Sequence, residues 1–180
     1  MTSDSSTSVL IIIFCIIFSG YFSATETAFS SLNRIRIKNM AEKGDKRAKL
    51  VLDMLENFDS LLSSILIGNN IVNIACASVA TLLFVKLFGE EQGPSLATLV
   101  ITIVVLIFGE VTPKSIAKDA PERFAMFAAP ILKGMIWLLT PVNAFFSGWK
   151  AMLAKLLSQG SNRSEAPQKQ QQSAPNPKNN

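Results

Sequence analysis

Three long apolar runs alternate with polar segments along most of the chain. The first run extends from Val9 to Phe29 and carries a single charge, Glu26. The second covers residues 61–87, and the third covers residues 96–117. A helix of about 20 apolar residues crosses the hydrocarbon core of a bilayer. The pattern therefore predicts an all-α membrane protein with three transmembrane helices.

The segment that follows, residues 124–157, is also apolar, but it is interrupted. Pro130 and Pro141 leave only ten residues between them, and both tryptophans of the chain lie in this segment. Short, broken segments with aromatic residues lie in the membrane interface more often than they cross the bilayer. We therefore predict a juxtamembrane amphipathic helical belt here, with a fourth span as the alternative.

Lys and Arg residues are distributed unevenly around the three predicted spans. Residues 33–59, which read as cytoplasmic helix, carry seven of them, and residues 114–157 carry six. The N-terminus and the turn after residue 87 together carry one, if Lys86 at the end of the second run is counted with the turn. Basic residues accumulate on the cytoplasmic side of membrane proteins. We therefore expect a bacterial inner or plasma membrane protein with its N-terminus outside and its C-terminus in the cytoplasm.

Composition excludes several classes of function. Charged residues make up 17% of the chain, against roughly 25% in a typical soluble domain, and histidine is absent. The absence of histidine excludes His-based catalytic triads and His metal sites, and no pair of aspartates lies inside a predicted span. Cys15 and Cys76 lie in apolar runs, which indicates core or lipid-facing positions. We expect neither an enzyme nor a nucleic-acid-binding protein.

The first of three polar groups lies in the first apolar run. Ser19, Ser23, Glu26 and Ser30 are spaced four, three and four residues apart, so on a helix they form one polar stripe. Helix packing through small residues is the alternative explanation for the serines. Glu26 is the stronger signal, because an ionisable residue inside a span is by default a functional hypothesis.

The second polar group places three amides within five residues of the second run. Asn69 and Asn73 share a helix face at a spacing of four, and Asn70 can join them at a spacing of three. Hydrogen bonding between helices is the alternative, and it would explain a single such residue. Three together favour a ligand-binding face that offers neutral carbonyl oxygens.

The third polar group interrupts the third run at Gly109, Glu110 and Pro113. Pro113 has no N–H, so in an α-helix the carbonyl of Gly109 loses its donor beside the Glu110 carboxylate. A broken helix with a free carbonyl is a recurrent ion-binding device of transporters. The alternative is a simple proline kink in which Lys114 neutralises Glu110.

Together the three groups supply a candidate metal site that contains only oxygen ligands, from Ser19, Ser23, Asn69, Asn70, Asn73, Gly109 and Glu110. Soft metals prefer sulfur or imidazole, whereas an oxygen cage suits Mg²⁺, Ca²⁺ or Na⁺. A single carboxylate leaves a divalent ion under-neutralised, which predicts modest affinity. Glu26 is the candidate for a second charge or for holding a coupling ion.

The segments Ser19–Ala28, Gly68–Asn73 and Gly109–Lys114 together resemble the transmembrane domain of the CorC/CNNM (cyclin M) magnesium transporters. The resemblance covers residues 9–157. It implies a homodimer with three transmembrane helices per subunit and a juxtamembrane belt. It also implies export of Mg²⁺ as the transported ion, proposed to be driven by inward Na⁺ as the coupling ion. The family's ion site falls on the seven residues named above.

Members of this family usually continue into a pair of cytoplasmic CBS domains that bind ATP. We expect these domains in the full-length protein but not in this chain, so ATP is not an expected ligand here. Residues 1–157 correspond to the transmembrane domain, and residues 158–180, rich in Gln, Asn, Ser and Pro, indicate a disordered tail or foreign sequence. The alternative function is a non-transporting Mg²⁺ sensor or membrane scaffold, because a structural ion and a transported ion need the same ligands.

Overall fold

The computed structural model describes residues 2–138 and residue 148, and this part of the chain contains helices and no strand, which confirms the predicted all-α class. The predicted tail at residues 158–180 and the second half of the predicted belt lie outside the described residues. The elements in chain order are α1 (Thr2–Ser31), α2 (Arg34–Glu42), α3 (Lys46–Leu55), α4 (Phe58–Val104), a π segment (Val105–Val111), α5 (Thr112–Asp119) and α6, which begins at residue 121.

Two helical stretches of the described chain are long and apolar enough to cross a membrane. They are Ser5–Ser31 and Phe58–Asp119. The second stretch includes α4, whose 47 residues would extend about 70 Å as a straight helix, more than twice the hydrocarbon core of a bilayer. A helix of that length can be accommodated only if it changes direction.

α4 changes direction at Gly89, close to the turn that the sequence places after residue 87. Gly89 has φ 84° and ψ 170°, a backbone conformation that only glycine adopts readily. Four residues later, Gly93 packs on the backbone of the preceding arm, where an added Cβ would lie 2.6 Å from the Cα atom of Val85. α4 is therefore a hairpin whose two arms comprise residues 58–88 and residues 90–104.

α1 lies at the centre of the fold and contacts α4, the π segment and α5. Phe22 on α1 is fully buried in the main core, together with Ile65 of α4 and Leu132 of α6. A second apolar cluster surrounds the N-terminal half of α1 and contains Cys15 and Cys76. Both cysteines are buried free thiols, which agrees with the core positions that the sequence indicates.

Two short helices, α2 and α3, connect the end of α1 to the start of α4. Each begins at a side-chain cap: the Asn33 carboxamide oxygen accepts the backbone N–H groups of residues 35 and 36, and Asp45 does the same for residues 47 and 48. Gly44, with φ 93°, forms the turn between the two helices. Arg36 lies 3.7 Å from Glu122, which joins α2 to the start of α6.

α6 is a continuous helix from residue 121 to residue 138 and includes Pro130. The sequence predicted an interruption at this proline. Pro130 lies on the exposed side of α6, so its ring is not packed against the core. On the opposite side, the Tyr21 hydroxyl donates to the Ala128 carbonyl at 2.8 Å and fixes α6 against α1.

Candidate ion site

The predicted polar stripe of α1 is divided between a buried part and an accessible part. Ser19 and Ser23 are 0% and 1% exposed, whereas Glu26 is half-buried and Ser30 is exposed. Only the two serines therefore face the interior of the helix bundle. These two hydroxyls, which the sequence singles out, can therefore contribute to a site inside the bundle.

Ser19 lies where three helical segments meet. Its hydroxyl oxygen is 3.2 Å from the Asn69 carboxamide oxygen of α4 and 3.5 Å from the Gly109 carbonyl oxygen of the π segment. The Ser19 hydroxyl proton can be donated to only one acceptor at a time. The three oxygens therefore form a close polar junction in which one of the two carbonyl oxygens receives no hydrogen bond from Ser19. A Cβ at position 109 would lie 2.8 Å from the Ser19 hydroxyl, so glycine is what permits this approach.

Two further oxygen atoms of the predicted site are buried without a hydrogen-bond partner among the described residues. They are the Ser23 hydroxyl oxygen and the Asn73 carboxamide oxygen. Ser23 lies one helical turn from Ser19 on α1, and Asn73 lies one turn from Asn69 on α4. Buried polar atoms without a partner are rare in folded proteins and call for a specific explanation. A bound cation supplies one, because it accepts the lone pairs of oxygen.

The π segment changes which carbonyl Pro113 leaves without a donor. The N–H of Thr112 bonds to the Ile107 carbonyl, an offset of five residues. At this offset Pro113 stands opposite Phe108, whereas the sequence prediction assumed the α-helical offset of four and freed the Gly109 carbonyl. Both carbonyls lie against α1: that of Gly109 faces Ser19, and that of Phe108 is 3.3 Å from the position of a Cβ on Gly20.

The two acidic residues of the prediction have different surroundings. Glu26 lies 3.4 Å from the ammonium group of Lys114, and both side chains are about 40% exposed. Glu110 is half-buried and has no ion pair or hydrogen bond with any residue that the structure describes. Lys114 therefore pairs with Glu26, not with Glu110 as the proline-kink alternative supposed.

The three amides of α4 do not all join the junction. Asn69 and Asn73 are half-buried on one helix face, but Asn70 is exposed. Asn70 makes no hydrogen bond within the part of the chain that the structure describes. The structure thus brings Ser19, Asn69 and Gly109 together, places Ser23 and Asn73 one turn away, and leaves Asn70 on another face.

A contact between Phe22 and Gly68 also shapes the site, and the sequence analysis missed it. The fully buried ring of Phe22 lies so close to the Gly68 backbone that no side chain fits at position 68. Because Gly68 immediately precedes Asn69, this contact sets how near the amide approaches α1. The available signal was a glycine in the middle of an apolar helix, which often marks close packing.

The chemistry of the site is that of hard, mostly neutral oxygen ligands. No group of three or more His, Cys, Asp or Glu residues that could hold a metal occurs among the described residues. Hydroxyl, carboxamide and backbone carbonyl oxygens with one carboxylate are typical ligands of Mg²⁺ and Ca²⁺. The residues present therefore fit a hard cation.

A family model described as the cyclin M transmembrane N-terminal domain, CNNM, matches residues 10–173. The chain belongs to the CNNM family. The resemblance inferred from the three polar segments is thereby confirmed, and the apolar helices described above are those of a CNNM membrane domain.

Individual CNNM relatives agree with this assignment. A UPF0053 protein of Haemophilus influenzae is 39% identical over 137 residues, which cover 76% of this chain and 32% of the relative. The UPF0053 inner membrane protein YfjD of Escherichia coli K12 is 39% identical over 139 residues, covering 77% and 32%. The polyamine export protein of Escherichia coli K12 is 28% identical over 153 residues, covering 78% and 34%. The chain thus spans about a third of the length of these relatives.

Proposed function

We propose that this CNNM domain binds Mg²⁺ among α1, α4 and the π segment and carries the ion across the membrane. The observation that carries the proposal is the junction of Ser19, Asn69 and Gly109, flanked by the buried, unpartnered oxygens of Ser23 and Asn73. Hydroxyl and carbonyl oxygens in this arrangement suit a hard cation better than they suit one another.

The number and charge of the ligands support Mg²⁺ in particular. One oxygen each from six residues would match the near-octahedral coordination that Mg²⁺ prefers, so the ion would be largely dehydrated; these residues are Ser19, Ser23, Asn69, Asn73, Gly109 and Glu110. Glu110 is the one carboxylate among them. Because one carboxylate leaves a divalent ion partly uncompensated, the affinity is expected to be modest, which favours release of a transported ion.

The arrangement in the membrane is part of the proposal. The three proposed spans are α1 and the two arms of the α4 hairpin, the second of which continues through the π segment. The basic helices α2 and α3 would then lie in the cytoplasm with the C-terminus, and the N-terminus outside, in agreement with the positive-inside rule. We also propose a homodimer, and cytoplasmic CBS domains in the full-length protein, as the resemblance to the family implies.

Export as the direction of transport, and Na⁺ as the coupling ion, also come from the family resemblance. Glu26 was the sequence candidate for a second charge. Its ion pair with Lys114 means that Glu26 could take this role only after Lys114 moves away. A Mg²⁺ sensor or scaffold would use the same ligands without moving the ion, so only a flux measurement separates the alternatives.

The decisive experiment is Mg²⁺ flux into proteoliposomes that contain the 180-residue chain, with and without a Na⁺ gradient. We expect Na⁺-dependent flux that is lost in Glu110→Gln and retained in the matched control Glu90→Gln, an exposed acid at the hairpin turn. Flux that survives in Glu110→Gln would contradict the proposed site. No flux in the wild type, with Mg²⁺ still protecting it against thermal unfolding, would support the sensor.

Polyamine export is a second candidate, favoured by the name of one relative. A polyamine carries several charges spread along its length, so it requires several separated acidic or aromatic partners. Within the described site Glu110 is the one carboxylate without a cationic partner, which favours a compact ion instead. Spermidine uptake into the same proteoliposomes, unaffected by Mg²⁺, would reverse this preference.

A further inference from the structure

Lys114 is the basic residue nearest to Glu110 in sequence, and it has two possible acidic partners. In the structure its ammonium group lies 3.4 Å from a carboxylate oxygen of Glu26 on α1, and both side chains are about 40% exposed. The other possible partner, Glu110, is half-buried and has no ion pair or hydrogen bond among the described residues. One ammonium group therefore pairs with one of two acids and leaves the other without a counter-charge.

Glu110 is the acid that can less easily remain without a counter-charge in the proposed membrane placement. It lies in the proposed ion site, whereas Glu26 is five residues from the end of α1 at Ser31, about 8 Å along the helix axis. A charge inside a membrane span is costly unless a partner neutralises it. A bound cation neutralises Glu110, but a transporter also passes through a step in which its site is empty. The empty site therefore needs another positive charge.

The helical register decides whether Lys114 can reach Glu110. In an α-helix, residues four apart are neighbours, and Glu followed four residues later by Lys is the favourable order for an ion pair. In the π segment the N–H of Thr112 instead bonds to the Ile107 carbonyl, at an offset of five, and Lys114 lies against α1. Of the positions at α-helical neighbour spacing from Glu110, which are 106, 107, 113 and 114, only position 114 is charged. A change of register would therefore transfer one ammonium group from Glu26 to Glu110.

Pro113 lowers the backbone cost of such a change. Proline has no N–H, so one carbonyl lacks a donor in either register: that of Phe108 at an offset of five, and that of Gly109 at an offset of four. The number of backbone hydrogen bonds lost at the proline is thus the same in both. Wide π turns occur mostly within α-helices and frequently at functional sites. A wide turn that shifts along the helix past Lys114 would leave the fully buried Ala117 of α5 in its packing.

We propose that Lys114 is a built-in counter-ion that pairs with Glu110 when the ion site is empty and with Glu26 when a cation is bound. The pairing in the structure, between Lys114 and Glu26, leaves Glu110 available to a cation. The inference rests on the proposed function, because it assigns the exchange of partners to the Mg²⁺ cycle. The number of ion pairs stays constant through the exchange, and the acid without a partner in the empty state is Glu26, near the end of its helix.

A double-mutant cycle on the Mg²⁺ affinity of the 180-residue chain, measured by titration calorimetry in micelles, tests the exchange. In Glu26→Gln, Lys114 remains on Glu110 and competes with the ion, so the dissociation constant should rise about two- to fivefold, the range of a partly exposed ion pair. Lys114→Met removes the competitor and should leave the constant equal or lower. In the Lys114→Met background, Glu26→Gln should have no effect, because no ammonium group is left to change partners. The exposed Lys118, one turn further along α5, provides the matched control Lys118→Met, which should behave as the wild type.

The cycle separates the exchange from simpler explanations. Two charges that act on Mg²⁺ only through space would give Glu26→Gln the same effect in both backgrounds, and that result would overturn the inference while the proposed site stands. An ion pair that only holds α5 against α1 would raise the dissociation constant in both single variants, which would also overturn the inference. A wild-type chain that binds no Mg²⁺ would reject the inference and the proposed function together.

Mg²⁺ flux in proteoliposomes gives a second measurement. In Lys114→Met the empty site would carry a carboxylate without a counter-charge, so the maximal flux should fall about tenfold or more without a rise in the half-saturating Mg²⁺ concentration. Lys114→Arg keeps the positive charge and should retain most of the flux. An unchanged maximal flux in Lys114→Met would show that the empty site needs no ammonium group and would contradict the exchange.

Discussion

Replacing Gly109 by alanine should destabilise the domain through one contact, that with the Ser19 hydroxyl. The added Cβ would lie 2.8 Å from the Ser19 hydroxyl oxygen and 3.2 Å from the Ser19 Cβ atom, both closer than the roughly 3.5 Å of ordinary contacts. Ser19 is completely buried, so its side chain cannot move away without disturbing its neighbours. Overpacking of this kind costs about 1–3 kcal/mol of unfolding free energy.

A second substitution, Ser19→Ala, separates this clash from other effects of the methyl group. Alone, it removes the hydrogen bond to Asn69 and lowers the unfolding free energy by about 1–2 kcal/mol. In the double variant the methyl group at position 109 no longer meets a hydroxyl. The double variant should therefore be more stable than the sum of the two single losses predicts, by about 1–2 kcal/mol, a coupling typical of residues in contact.

The cycle is measured by reversible unfolding of the four proteins in mixed micelles without Mg²⁺. Gly134→Ala is the matched control, because no atom lies within 4 Å of the added Cβ. Alanine is favoured over glycine in a helix by up to about 1 kcal/mol, so this control should be neutral or more stable. If the effects of Gly109→Ala and Ser19→Ala add to within about 0.5 kcal/mol, the close approach of the two residues is refuted.

Two further substitutions test the surroundings of the junction. In Mg²⁺-free micelles, Ser23→Ala should be neutral or stabilising by up to about 1 kcal/mol, because it removes a buried hydroxyl without a partner among the described residues. The same variant should no longer show a rise in melting temperature when Mg²⁺ is added. A strong loss of stability in the absence of Mg²⁺ would contradict the prediction that this hydroxyl lacks a partner. Gly68→Ala should lower the unfolding free energy by about 1–3 kcal/mol, because the added Cβ overlaps the Phe22 ring. In thermal unfolding, adding Phe22→Leu should restore part of this loss. An unchanged melting temperature of Gly68→Ala would contradict the contact between the two residues.

The helical class follows from the sequence because a bilayer leaves the chain few options. Every backbone group of a span must be hydrogen-bonded internally, so the apolar runs that begin at Val9 and at residues 61 and 96 are restricted to helices. Turn residues around Gly89 then mark where the second run ends and the third begins. These signals are local in sequence, which is why the long apolar helices could be predicted without any knowledge of packing.

The direction in which an individual polar side chain points cannot be predicted from the neighbouring sequence alone. Asn69, Asn70 and Asn73 have identical chemistry, and their spacing allows all three to share one broad face. Which of them turns toward Ser19 is decided by where α1 lies, and that position depends on the contact between Phe22 and Gly68. The sequence could therefore select the group of amides as candidate ligands but could not separate the exposed Asn70 from the other two.

The π segment explains why Glu110 does not pair with Lys114, as the proline-kink alternative supposed. In an α-helix, Glu110 and Lys114 would be neighbours at a spacing of four. Gly109 and Lys114 are five residues apart and would point in directions about 140° apart. An offset of five places residues that far apart roughly one above the other. Gly109 can then face Ser19 while Lys114 reaches Glu26, and Ser19 and Glu26 lie two turns apart on the same face of α1. The wide turn thus aligns a carbonyl and an ammonium group with α1 and leaves Glu110 without an ion pair among the described residues, which would leave its carboxylate free for the proposed cation.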